Sequence, residues 1–443
     1  MNNASEQYYR EIMSEMHLLD SHAHIPPEAA FQNAPKDFTE VVDYAYNDLI
    51  SAGMKINDLH SPFDGFPPMS LSDGFDPLYK EPSVEEKWEI IKKYWTYVKN
   101  MGPGICARKT LQMYFGVDDF TDETIPVINA KFAELQRKSY REFYDEVKVD
   151  KVVNIAINGS YGNPATDVFT PLIYTDLVTE PVNRDYVQFL ESVTKKNIFS
   201  LDSYVQALDD YLEKEVKENG MKGFKLHTTS FMRELEFSMP SKAAAELEFD
   251  KMITSTARGS LLSGKGRSYD ELHSLHNYLQ NHLIQKSIEL DVPVQIHTGT
   301  FGGSNGAKLY NSNPTLLSDL LIRYPQAKFD FLHSGFPYFN ELAEMTREFP
   351  NLKLNVTWMQ LLSPIEFIQY MEKLALWIPS NKIIGYGSDE LTVLNSCAAA
   401  EMYRDYMARV LSDLTTNGYM TEKDAIFFAN RVSRENAVEH FKL

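Results

Sequence analysis

Asp20-Ser21-His22-Ala23-His24 ends the first apolar run of the chain. Four later runs end alike, in Gly223-Phe224-Lys225-Leu226-His227, Val294-Gln295-Ile296-His297, Phe331-Leu332-His333 and Gly387-Ser388-Asp389. Each run is strand-sized and carries its reactive side chains at the C-terminal end. A closed parallel barrel gathers such ends on one face, where the catalytic residues of that architecture sit. These stretches therefore predict an α/β protein, a (β/α)8 TIM barrel, with imidazoles and a carboxylate at its mouth.

Working outward, eight strand segments are expected, at 17–20, 151–157, 197–201, 223–227, 293–297, 327–333, 352–357 and 382–387. Helical periodicity fills the intervals, including 203–219, 269–290, 313–324, 340–349 and 365–377, and the tail from 397 to 441 is helical throughout. An open doubly wound sheet would show a Gly-rich phosphate loop at its first strand-to-helix turn. Here that turn is His-Ala-His-Ile-Pro-Pro, which suits metal ligation. Two stretches are too long for ordinary βα connections. The first, about 26–148, holds helical patterns at 38–50, 84–99 and 125–147 around a Pro/Gly/Asp-rich loop at 61–82. It is expected to form a helical insertion over the barrel mouth, within a single domain spanning 1–443. The second, about 228–268, contains Gly259, Gly264 and Gly266 and is expected to be a mobile loop.

Composition narrows the function. The chain has 443 residues, 43% of them hydrophobic, which is enough for a barrel core with insertions. Its formal net charge of -19 disfavours nucleic-acid and anionic-membrane partners, leaving a small-molecule substrate. Cys106 and Cys397 make no disulfide framework and fit a cytoplasmic location. The first residues lack an apolar signal segment, and no apolar run is long enough to span a bilayer.

His22 and His24, two apart on a strand, point to one face and can grip one ion. Asp20 shares that face and can orient a ligand. His297 reads as a further ligand, with a satisfied core histidine as the plain alternative; Gly299, Gly302 and Gly303 after it leave room for a ligand. His333 can serve as ligand or as acid/base. Asp389 can bind metal and accept a proton from water, or simply cap a helix. Lys225 and His227 form another same-face pair. A barrel-facing Lys is costly unless paired or used; it can hold a substrate anion, carry a carboxylate that bridges two metals, or form an ordinary ion pair. Arg233, Tyr338 and Trp358 sit where mouth loops would put substrate contacts. His273, His276 and His282 share one helical segment and read as surface residues, while His17, His60 and His440 follow no pattern.

As an ordered set, His22-x-His24, the Lys225/His227 strand, His297, His333 and Asp389 resemble the amidohydrolase superfamily, in particular its amidohydrolase-2 branch of hydrolases, lactonases and decarboxylases. The insertion with Tyr94-Trp95 and Gly102, and Trp358 after the seventh strand, are similar to uronate isomerases. Leu332-His333-Ser334-Gly335-Phe336-Pro337-Tyr338, followed by Phe349-Pro350-Asn351, resembles amidohydrolase domains associated with glutamine synthetase-like proteins. The resemblance implies a divalent metal, zinc foremost, as one or two ions on His22, His24, His297 and Asp389. By it His333 would be a ligand or acid/base group; Lys225, His227, Arg233, Tyr338 and Trp358 are expected at the substrate from their position at the mouth alone, with a structural role as the plain alternative for each. The resemblance implies a metal-dependent hydrolase cleaving an amide, ester or lactone of a small polar substrate. A decarboxylase, a uronate-isomerase-like enzyme and a non-catalytic binding barrel are the competing expectations. Homo-oligomer formation is a family-level expectation only.

Overall fold

The computed structural model describes residues 3–55, 58–59, 81–156, 166–227, 233–254, 270–302 and 308–443. Eight strands run in chain order in one parallel sheet: β1 Leu18–Ala23, β2 Val149–Ala156, β3 Phe169–Tyr174, β4 Phe224–Leu226, β5 Val294–Ile296, β6 Phe329–Phe331, β7 Leu352–Asn355 and β8 Ile383–Ile384. Short bonds span the seam between the first and last strands. Ser21 N–H donates to the Tyr386 carbonyl at 3.2 Å and Asp389 N–H to the His22 carbonyl at 2.8 Å. The expected TIM barrel is present.

The third strand differs from expectation. Residues 197–201 do not form it: Ser200 caps the helix Leu201–Lys217, with its side chain accepting from the Ser203 N–H, and Ile198 N–H is held by Glu191. The strand is instead Phe-Thr-Pro-Leu-Ile-Tyr, where Pro171 argues against a central strand. It is tolerated because its missing N–H falls ahead of the β4 ladder. Pro171 only accepts there, from Lys222 N–H at 3.0 Å, and the strand's first donation to the β4 side is Ile173 N–H to the Gly223 carbonyl.

The insertion before β2 is helical, as expected, but more divided: Glu28–Asn33, Thr39–Val42, Ala45–Ser51, Val84–Val98, Gly102–Thr110, Thr124–Leu135 and Tyr140–Glu146. The pattern at 125–147 breaks because Ser139 and Glu142 form a capping box that starts a new helix. Gly102 lets this layer touch the barrel loops: a Cβ there would lie 1.5 Å from the Leu361 carbonyl oxygen. Within the segment expected as a mobile loop, Lys242–Ile253 is a helix capped by Ser241. The loop at 61–80, Gly259, Gly264, Gly266 and Gly303 lie outside the described residues. The helical tail is Val393–Thr416, Glu422–Asn430 and Asn436–Phe441 with a π turn at Arg431–Glu435. Among the described residues no helix is long and apolar enough to cross a membrane.

The barrel interior is two-sided. Leu19, Val153, Ile155, Leu172, Tyr174 and Ile384 pack with Ala437 and Phe441 of the last helix. On the other side, Lys225, Gln295 and Asp330 are register neighbours on β4, β5 and β6, and Asn355 ends β7; all four are buried. The chain thus spends half its barrel core on polar groups that a structural barrel would fill with branched aliphatics.

Candidate metal centre and active site

β1 delivers its two histidines together. The His22 and His24 rings stand edge to face at 4.9 Å, with their Nε2 atoms 3.3 Å apart. Asp389 crosses the seam from the β8 side and puts Oδ1 3.3 Å from His22 Nε2 and 3.1 Å from His24 Nε2. Three buried ligand atoms, one from each residue, lie within 4.8 Å of one another. Asp389 sits at φ +58°, a left-handed conformation that costs a non-glycine residue energy and concentrates at functional sites.

Supporting bonds orient these groups. Gln295 donates through Nε2 to the Ser21 carbonyl at 3.1 Å, which turns its Oε1 toward His22 Nδ1 at 2.9 Å. A carbonyl oxygen there calls for N–H at Nδ1, so the Nε2 lone pair of His22 faces Asp389, as a metal ligand requires. Asp20 does not touch a ligand ring. It accepts from the backbone N–H of His22 at 3.1 Å and of Ser388 at 3.0 Å, tying the two ligand-bearing segments together. Burial raises its carboxyl to about 6 despite those bonds.

His333 lies on the other side of Asp389, its Nδ1 3.6 Å from Oδ2. Its Nδ1 also meets the Thr357 carbonyl at 3.3 Å, and its Nε2 meets His297 Nδ1 at 3.0 Å. His297 Nε2 in turn faces the Thr300 carbonyl at 2.9 Å, and Phe301 stacks on its ring. Burial pushes His333 down to about 3, and burial with the neighbouring His333 and His227 pushes His297 well below its ordinary value. Two neutral rings own two N–H groups for three contacts, so the pair is one proton short of satisfying all of them. Burial alone would raise Asp389, but His22, His24 and His333 hold it well below the usual carboxylate range.

The structure thus brings His22, His24, Asp389 and His333 together and places His297 one step away, on His333. Lys225 is buried, with no hydrogen-bond partner for Nζ among the described residues. Burial lowers its ammonium to about 7 against the opposing pull of Asp389, Asp176 and Asp330. His227 packs edge-on to His297 at 4.6 Å, with Tyr174 at its Nδ1. Trp358, at φ +70°, lies 5.6 Å from His333. Arg233 turns away to Asn277, Gln280 and the carbonyls of Glu234 and Glu236, joining its loop to the helix His273–Leu290. Tyr338 stands at the N-cap position of the helix Phe339–Glu348, its side chain making no capping bond.

Sequence reasoning missed Gln295, Tyr44 and Tyr174. Gln295 precedes His297 by two, so the same-face rule could have found it. Tyr174 went unread with its strand. Tyr44 stands in the turn between the helices Thr39–Val42 and Ala45–Ser51, whose placement against the site no local pattern reveals.

A divalent ion fits the three-residue cluster. Among the described residues Asp389 Oδ1 is buried without a hydrogen-bond donor, and the two Nε2 atoms that face it are ligands of the kind such an ion takes.

Residues 191–391 match the family model Amidohydro_2, described as amidohydrolase. Over 153 residues the chain is 27% identical to protein fluG of Emericella nidulans, a stretch covering 34% of this chain and 17% of that relative's length. Uronate isomerase from Thermotoga maritima superposes with a TM-score of 0.73 at 15% identity, covering 99% of this chain and 97% of the other. Glucuronate isomerase from Caulobacter crescentus gives 0.71 at 14%, covering 100% and 95%. A protein from Lactobacillus casei described as a metal-dependent hydrolase gives 0.63 at 15%, covering 98% and 97%. At such identities the superpositions establish the fold alone. The family match, over less than half of the chain, bears out the amidohydrolase resemblance.

Proposed function

We propose that the chain is a metal-dependent hydrolase that cleaves an amide, ester or lactone bond of a small polar substrate. One observation carries this reading: the two oxygens of Asp389 face different partners, Oδ1 the histidine pair of β1 and Oδ2 the His333 ring. One carboxylate is thereby placed both to hold an ion and to move a proton. His22, His24 and Asp389 would hold a single divalent ion, zinc being our assignment. When bound, the ion supplies Lewis-acid polarisation of a carbonyl and acidifies water.

The remaining work belongs to the chain. Asp389 takes the proton of the attacking water through Oδ2. Asp389 then delivers that proton to the leaving group, while His333, its Nδ1 beside that oxygen, donates to the carboxylate and steadies it. Lys225 offers an unpaired amine to an anionic or carbonyl group of the substrate, His227 borders that amine, and Trp358 walls the site. Arg233, bonded to Asn277 and Gln280, and Tyr338, for which no bond toward the cluster is seen among the described residues, are left out of this set.

A second reading is isomerisation of a uronic acid, in which the His297–His333 pair would shuttle a proton between neighbouring carbons. It is favoured by the near-full-length superposition on two uronate isomerases. Product analysis in isotopically labelled water separates the two. Oxygen from water appears in the product of hydrolysis, whereas an isomerised product keeps its mass. Asp389→Asn should abolish turnover in a protein that still folds; unchanged turnover would sink both readings.

A further inference from the structure

The hydrogen bonds that hold the site do not stop at its floor. Asn355 Oδ1 accepts from Thr357 Oγ1 at 2.7 Å, from Thr357 N–H at 3.1 Å and from Ser21 Oγ at 3.2 Å. From Thr357 the next bond is its carbonyl to His333 Nδ1; from Ser21 it is the carbonyl that fixes Gln295, and so His22. A single amide oxygen therefore stands under both a metal-ligand histidine and His333. The other end of the amide, Nδ2, donates to Asp330 Oδ2 at 2.9 Å, which holds that oxygen upward together with the Thr357 N–H. Asp330 is in turn held from below by His440 Nε2 at 2.9 Å, reaching in from the helix Asn436–Phe441. Ser21, Gln295, Asp330, Asn355 and Thr357 are fully buried, and His440 nearly so. Gly387 keeps the column closed, since a Cβ there would lie 2.0 Å from Thr357 Oγ1 and 2.9 Å from Ser21 Oγ.

We propose that His440 of the last helix is a positioning residue for the active site, acting through Asp330 and Asn355 to set the orientation of both His22 and His333. The last helix is then more than an apolar plug. Ala437 and Phe441 fill the barrel floor, while His440 helps to fix which way one buried amide points. Without that anchor Asp330 is a buried carboxylate short of a donor, and its hold on the Asn355 amide slackens, leaving the acceptor under Ser21 and Thr357 less firmly placed.

The consequence for metal binding rests on the proposed function, but the positioning does not, and the test keeps them apart. The full-length protein, freed of metal, is compared with His440→Phe, which fills the space without a donor, and His440→Gln, which keeps one. Histidine ring N–H signals are followed by nitrogen-15 NMR, and zinc alone is titrated against a chelator. We expect slowly exchanging Nδ1–H signals for His22 and His333 in the parent and in His440→Gln. In His440→Phe both signals should shift or exchange faster, with zinc affinity about tenfold weaker, the low end for a group that orients a ligand. Ring signals and affinity unchanged in His440→Phe overturn the proposal. Should that variant not fold, Ser21→Ala and Thr357→Val decide: the two hydroxyls lie 3.1 Å apart, so the first should move His22 more than His333 and the second the reverse, and silence in both overturns it. Absence of zinc binding in every protein, with the ring signals moving as described, would leave the positioning standing and sink the metal reading instead.

Discussion

The ring of Tyr44 lies 4.6 Å from that of Trp358. Tyr44 belongs to the helical insertion and Trp358 to the loop after β7, so the pair joins the two across the site. Trp358 is forced to φ +70°, and its ring fills the space above Gly302, where a Cβ would lie 2.4 Å from it. A residue held in a costly conformation and packed on His333 is shaped for a wall. Trp358→Ala should therefore cost about 3–5 kcal/mol of stability by urea unfolding. It should also lower kcat/KM at least tenfold, chiefly through KM. A variant that loses stability but keeps KM would assign the ring to packing alone.

Gln295 settles which nitrogen of His22 is free for an ion. Gln295→Leu removes the acceptor at Nδ1 while keeping the volume of a buried side chain. Zinc affinity, read by chelator competition, should fall 10- to 100-fold. Gln295→Glu retains an acceptor and should fall less. Equal affinities in both variants and the parent would show that the His22 tautomer is set by something else.

The barrel and most of its site were readable because their signals are local. A same-face pair such as His22 and His24, or an apolar run ending in His297 or His333, declares itself within five residues. What was not readable depends on groups distant in sequence. β3 was misplaced because Pro171 disqualifies a strand unless the register of β4 is known. His297 read as a ligand from its strand end alone, and only the approach of His333 and the Thr300 carbonyl shows both its ring nitrogens engaged. His440 had no pattern around it, since its partner Asp330 is 110 positions away. The capping box at Ser139, by contrast, lay in plain view inside a stretch read as one continuous helix.

Lys225 is a buried amine without a hydrogen-bonding partner among the described residues, a poor arrangement for stability. Lys225→Met removes the desolvation cost and keeps the stem. The thermal midpoint should rise by a few degrees while turnover falls by at least a hundredfold, the signature of a group kept for function at the expense of stability. A midpoint that drops would mean that Asp330, Asp176 or Asp389 relies on the ammonium as a counterion.

His276 offers a pH dependence remote from the metal cluster. It is fully buried on the helix His273–Leu290, with Nε2 at the Pro181 carbonyl, and the charged groups that face it are Arg233 and His273. Burial, with Arg233 and His273 adding to it, lowers its pKa to about 3, against about 6.5 for an exposed histidine. The unfolded chain therefore binds a proton below pH 6.5 that the folded chain refuses until about pH 3. Stability is full above about 6.5 and declines as pH falls through that window, by up to about 1.4 kcal/mol per pH unit from this residue. His276→Gln keeps a side-chain N–H for the Pro181 carbonyl and does not titrate. Urea unfolding at pH 7.5, 6.0 and 5.0 should show the parent losing stability more steeply than the variant. Parallel slopes would show that His276 takes up its proton while folded.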